Sequence, residues 1–233
     1  MTVGNSGTIL TSTDGTTWID RTNTDVTSET LDEVTYANGT FVVVGYSGTI
    51  LTSSDGTAWT PRTSDISNTN IQGVNYVNGT FVATGKNGTI LTSSDGTTWT
   101  DRTNTNVTSN HLKGVTYGNG TFVIVGESGT ILTSSDGTTW DNRTSGTSND
   151  LYGVTYENST YVATGENGTI LTSSDGITWT SLFFGFTTDN ISTAKLTVSN
   201  SSLTSGTTYY WKVVASDPKG GSAQSETWSF TVQ

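Results

Sequence analysis

Ile71-Gln-Gly-Val-Asn-Tyr-Val-Asn-Gly-Thr-Phe-Val-Ala-Thr-Gly-Lys-Asn-Gly-Thr-Ile-Leu-Thr-Ser-Ser-Asp-Gly-Thr-Thr-Trp99 carries the whole fold in one unit. The unit recurs almost verbatim, and aligning the chain on Trp18, Trp59, Trp99, Trp140 and Trp179 gives spacings of 41, 40, 41 and 39 residues. A fixed period of that size is the mark of a repeat architecture. In the copy ending at Trp140, Leu112–Tyr117 reads as a first strand, and Asn119-Gly120 supplies two residues that tolerate positive φ, a strong hairpin signal. Thr121–Val125 follows, apolar on both faces, as a strand covered from both sides must be. A turn at Gly126–Gly129 leads to a third strand, Thr130–Thr133. Ser134-Ser-Asp-Gly137 makes the next hairpin, with Asp136 suited to accept backbone N–H bonds and Gly137 to the left-handed conformation. Thr138-Thr-Trp140 is expected to open the fourth strand. Four short strands in about forty residues make a propeller blade.

The fold class is therefore all-β, a β-propeller of four-stranded antiparallel blades. Full blades fall at about 31–63, 71–103, 112–144 and 151–180, within a repeat region spanning 1–181. A half blade at 1–23 is expected to hold only the third and fourth strands with the turn before them. Strands from the two ends of a propeller commonly complete one sheet, and Ser181-Leu-Phe-Phe-Gly-Phe186 is the candidate closing strand, which would close the ring at five.

Composition bounds the function classes. Among 233 residues there are 52 Thr, 29 Ser and no Cys, which excludes a disulfide scaffold, a thiolate metal site and a cysteine nucleophile. Leu, Ile, Val and Phe number 48, so the core rests on few large side chains, seven Trp and nine Tyr among them. Nine basic residues scattered among twenty acidic ones, net −11, cannot form the cationic stripe that a phosphate backbone or anionic lipid demands. No nucleic acid partner and no membrane insertion are expected. Ten Asn-x-Ser/Thr sequons arise largely from a Thr-rich composition and turn Asn-Gly-Thr triplets.

The hairpins Ser12-Thr-Asp-Gly-Thr-Thr-Trp18, Ser53-Ser-Asp-Gly-Thr-Ala-Trp59, Ser93-Ser-Asp-Gly-Thr-Thr-Trp99, Ser134-Ser-Asp-Gly-Thr-Thr-Trp140 and Ser173-Ser-Asp-Gly-Ile-Thr-Trp179 resemble the Asp-box, or bacterial neuraminidase repeat. They lack its residue between Asp and Gly. The resemblance implies a structural hairpin on outer strands, found in sialidases, photosystem assembly factors and secreted adhesin-like proteins, so it carries fold rather than function. On this reading Asp14, Asp55, Asp95, Asp136 and Asp175 cap backbone, and Trp18, Trp59, Trp99, Trp140 and Trp179 anchor blades. Beyond residue 182, Leu203-Thr-Ser-Gly-Thr-Thr-Tyr209-Tyr-Trp and Trp228-Ser-Phe-Thr-Val232 resemble the last strands of a fibronectin type III domain, with Leu203, Gly206 and Tyr209 at tyrosine-corner spacing. The segment 182–233 is about half of such a sandwich. Its uncovered face is expected to pack on the propeller, to take strands from a neighbouring copy, or to be completed by further chain of a longer gene.

A sialidase-like site would need three converging arginines. Arg21, Arg62, Arg102 and Arg143 each follow a blade tryptophan by three residues, so they are expected around the rim as scaffold, a guanidinium stacked on a neighbouring ring. His111 is the sole histidine and reads as a solvated loop residue. No cofactor and no metal are expected. Recognition positions need not repeat where scaffold positions do. Two sets vary: Asp32, Gln72, Lys113 and Tyr152 at the start of the first strands, and Tyr46, Lys86, Glu127 and Glu166 in the turn between the second and third. Both sets are candidate binding residues, against drift at exposed turns. The function expected is a non-enzymatic extracellular or cell-surface module that binds carbohydrate or protein. The alternatives are a subunit of a self-assembling surface structure joined by strand completion, and a sialidase-like glycosidase.

Overall fold

The computed structural model describes residues 1–64, 66, 68–182, 205–211, 214–216, 222–224 and 228–231. Two compact units are distinguished, Met1–Phe183 and Phe184–Gln233. In the first, every regular element beyond single 3-10 turns is a β-strand, and the sheets are antiparallel with consecutive strands adjacent. The second sheet contains Leu31–Ala37, Thr40–Gly45, Ile50–Ser53 and Thr60–Arg62. The third contains Ile71–Val77, Thr80–Gly85, Ile90–Ser93 and Thr100–Asp101. The fourth contains Leu112–Gly118, Thr121–Gly126, Ile131–Ser134 and Asp141–Arg143. The fifth contains Leu151–Glu157, Thr160–Gly165, Ile170–Ser173 and Thr180–Ser181. These are the blades of a β-propeller.

Three expectations change. The first sheet has three strands among the described residues, because Thr2–Val3 pairs with Ile9–Thr11 before Ile19–Asp20, so the second strand is present as well as the third and fourth. The blade tryptophan does not open the fourth strand. Trp140 lies just ahead of Asp141–Arg143, its indole packed against Phe122 with ring centres 6.1 Å apart. Among the described residues no arginine stands over an aromatic ring; each holds its own sheet together. Of the candidate closing segment 181–186, Thr180–Ser181 is the fourth strand of the fifth sheet and 183–186 lies outside the described residues, as does Leu203. In the second unit, Thr208–Trp211 pairs with Trp228–Thr231, and Val214–Ser216 with Ser222–Gln224.

The core lies between sheets. Each blade has a forward face, such as Val82 and Ile90 of the third, that packs on the backward face of the next, here Leu112, Val115, Phe122, Ile124, Leu132 and Trp140 of the fourth. The same pattern joins the second sheet to the third and the fourth to the fifth, and Ile9 of the first to Leu31, Val43, Leu51 and Trp59 of the second. Middle strands are buried on both faces, which is why Val123, Ile124 and Val125 are all apolar and fully covered. Aromatic rings thread each blade: Tyr76 to Phe81 at 4.6 Å and Phe81 to Trp99 at 6.5 Å, with equivalents in the other three full blades.

Hairpin chemistry fixes the register. At the Asp hairpin Ser134 Oγ accepts from Gly137 N at 2.8 Å, and Asp136 Oδ1 accepts from Thr138 N at 2.8 Å and Thr139 N at 2.9 Å. Gly137 sits at φ 71°, where a side chain would be strained. Equivalent bonds recur at Asp14, Asp55, Asp95 and Asp175. These bonds favour the ionised form, so all five carboxyls lie below the usual carboxylate range.

Candidate ligand-binding face

Both varying sets arise from one local device. In each inner strand the pairing slips by one residue, between Leu31/Glu33, Ile71/Gly73, Leu112/Gly114 and Leu151/Gly153. The bulged residues are Asp32, Gln72, Lys113 and Tyr152, and a bulge re-aims a side chain away from the ladder. The second set opens the 3-10 turns Tyr46–Gly48, Lys86–Gly88, Glu127–Gly129 and Glu166–Gly168. Each turn is tied to the residue just ahead of its own inner strand: Tyr46 N donates to Thr30 O, Lys86 N to Asn70 O, Glu127 N to His111 O and Glu166 N to Asp150 O, all within 2.8–2.9 Å. The two sets are thereby held at the same end of the blades.

On the fourth and fifth sheets the side chains interlock. Lys113 Nζ lies 3.6 Å from Glu127 Oε1 and 3.4 Å from Asp150 Oδ2, and 4.6 Å from the centre of the Tyr152 ring. Tyr152 donates its hydroxyl to Glu166 Oε1 at 3.0 Å, which pushes its own pKa up. His111 is not a free loop residue, because its Nδ1 is 3.0 Å from Glu127 Oε1. On the second and third sheets Lys86 Nζ stands 6.0 Å from the Tyr46 ring centre. Asp32 is exposed, yet crowded enough by protein that its pKa is pushed up, against the pull of Lys86. Gln72 is half-buried, and its Oε1 is buried without a hydrogen-bond partner among the described residues. Seven of the eight residues thus join one of two neighbouring clusters, and Gln72 joins neither.

His111 and Asp150 belong to the face although only the turn and strand positions were singled out. Their signal lay one residue upstream, where Thr30, Asn70, His111 and Asp150 also differ between blades. Asp150 links blades twice, accepting from Ser128 N at 2.9 Å as well as pairing with Lys113. Beside this region a cavity of about 500 Å³ is lined by hydroxyls, amides and one guanidinium, from Asn110, Ser128, Thr130, Arg143, Ser145 and Thr147 among others.

The arginines stay apart. Arg21, Arg62, Arg102 and Arg143 donate from Nε to Thr11, Thr52, Thr92 and Thr133 Oγ1 of their own sheets, at 2.7–3.3 Å. They clamp the outer strand to its neighbour, and no three of them converge.

Residues 67–233 match the DUF6242 beta propeller domain. The chain belongs to this family. The DUF6242 propeller is similar in structure to YCF48 bound to D1 peptide, with a TM-score of 0.53 and 21% identity over 66% of this chain and 55% of that one. It is similar to YCF48 from Cyanidioschyzon merolae at 0.52 and 21%, over 66% and 56%, and to a chain of the nidogen/laminin complex at 0.55 and 15%, over 77% and 76%. The DUF6242 chain spans little more than half the length of those YCF48 chains. At such identities the likeness is one of fold. No curated protein matches it in sequence.

Proposed function

We propose that the protein is a non-enzymatic binding module that holds a protein segment or a glycan across the face built by the inner-strand bulges and the 3-10 turns. The carrying observation is that two sets of positions that differ between near-identical blades are held at one end of them by the bulges and turns. Tyr46 and Tyr152 are exposed there, and an aromatic ring beside fixed carboxylates and amines suits polar partners that also offer an apolar edge. Two structural neighbours support a binding role, since YCF48 has been seen bound to D1 peptide and nidogen in complex with laminin. Arginines spent on strand clamps speak against a sialidase-like site. Within this reading the Asp hairpins are Asp-boxes, the 182–233 segment is fibronectin III-like, and the Thr- and Ser-rich surface works outside the cell.

The test is binding of the intact chain to a glycan array and to a peptide array, followed by Tyr152→Ala and Tyr46→Ala. Both substitutions should weaken whichever ligand binds at least tenfold with unchanged thermal stability, whereas Asn119→Ala at the opposite hairpin should not. Binding that survives both tyrosine changes would move the site elsewhere.

A further inference from the structure

The outer faces of the first and fifth sheets are built like interior surfaces, yet among the described residues nothing buries them. Val162, Thr164, Ile170 and Thr172 of the fifth sheet repeat, residue for residue, Val82, Thr84, Ile90 and Thr92 of the third. In the third sheet all four are buried beneath the fourth, and Thr84 donates its hydroxyl to Lys113 O across the seam. In the fifth, Val162, Ile170 and Thr172 are only half-buried and Thr164 is exposed. Leu182 is also exposed, at 40%, in the place the other sheets give to arginine: its N–H donates to Ile170 O as that of Arg102 donates to Ile90 O. The fifth sheet is therefore more apolar than the repeat requires, on the side left uncovered among the described residues.

The first sheet presents the complementary surface. Leu51, Leu91, Leu132 and Leu171 are buried against the preceding sheet, whereas the equivalent Leu10 is half-buried. Trp18 is 44% exposed where Trp59, Trp99 and Trp140 are 9%, 6% and 5%. Thr2, in the place of the fully buried Val43, is exposed as well.

We propose that these two faces take each other between molecules: the fifth sheet of one copy stacks on the first sheet of a second copy. The occupant is set by continuity with the seams already present, because the forward face of the fifth sheet is the forward face of the third, and the third is covered by the backward face of a blade of this same chain. The contact is heterologous, using different patches on the two partners, so it repeats into a ring or a filament. Each copy carries a net charge of −11, so apolar stacking works against long-range repulsion and tightens as salt rises.

Light scattering on the full 24.6 kDa chain over a range of concentrations reads the outcome. The expected result is mass that grows with concentration in whole multiples of the chain, more steeply at high salt. Thr164→Lys and Trp18→Lys alter exposed positions, so each variant should fold, with an unchanged circular dichroism spectrum, and run as a monomer. Mixed together they should form a two-copy particle and nothing larger, because each retains the face the other lacks. A wild-type chain that stays monomeric throughout, association undiminished by either lysine, or a mixture that fails to pair would each overturn the proposal. Arrays of single-copy variants still binding a ligand leave the loop-face reading intact, so the two fail separately.

Discussion

Tyr161 shows how one residue departs from the repeat and what then has to follow. The equivalent positions are Phe41, Phe81 and Phe122, yet Tyr161 is fully buried and donates its hydroxyl to Gly118 O and to Thr121 O of the preceding blade. Burial, with Tyr156 nearby, holds its phenol at about 12. Gly118 leaves room for the Tyr156 ring beside it, because a Cβ there would sit 2.1 Å from that ring. Tyr161→Phe, although it restores the repeat residue, should therefore lower unfolding free energy by about 1–2 kcal/mol, since the buried hydroxyl bond across the seam is lost. Urea denaturation of the two proteins measures this directly. Gly118→Ala should destabilise further, and less so when Tyr156 is also changed to Ala, a coupling that a double-mutant cycle isolates. Nothing in the sequence around Tyr161 announces the pairing, because its partner lies forty residues away and is a backbone oxygen.

The Asp hairpin is the element that makes each blade, and its acid response can be worked out. In the folded chain the carboxyls of Asp14, Asp55, Asp95, Asp136 and Asp175 stay ionised to lower pH than ordinary carboxylates, because backbone N–H groups point at them. The unfolded chain takes up protons first, near pH 4. Stability is thus full above that range and falls as pH drops through it toward the depressed folded values. The melting temperature should decline between about pH 5 and 2, and replacing several of the five with Asn should lower the melting temperature at neutral pH while flattening that decline. A core position makes the contrast: Phe81→Ala, fully buried between Tyr76 and Trp99, should cost about 3–5 kcal/mol at any pH. These hairpins were legible because Ser, Asp and Gly act within three residues of one another. The four full blades and their strand order could be read for the same reason, from short-range turn chemistry and the forty-residue period. The arginine clamps, the Lys113 cluster and the second strand of the first sheet could not, since each depends on which neighbouring strand a side chain meets, or on a two-residue strand too short to carry a pattern.

At the scale of the molecule, blades that touch only their neighbours make stability a sum of blade and seam terms, so local opening follows the number of seams a blade owns. The third and fourth sheets are covered on both faces, and their middle strands are buried throughout. The first and fifth sheets are covered on one among the described residues. Hydrogen exchange of the monomeric Thr164→Lys chain should therefore show slowest exchange at Val82–Thr84 and Val123–Val125 and faster exchange at Ile9–Thr11 and Ile170–Thr172. If the end faces stack between copies, the wild-type chain at high concentration should gain protection at Ile9–Thr11 and Ile170–Thr172 alone. The centre has its seams already, so protection that rises evenly along the chain would signify a global change in stability, with no sheet-on-sheet contact needed to account for it.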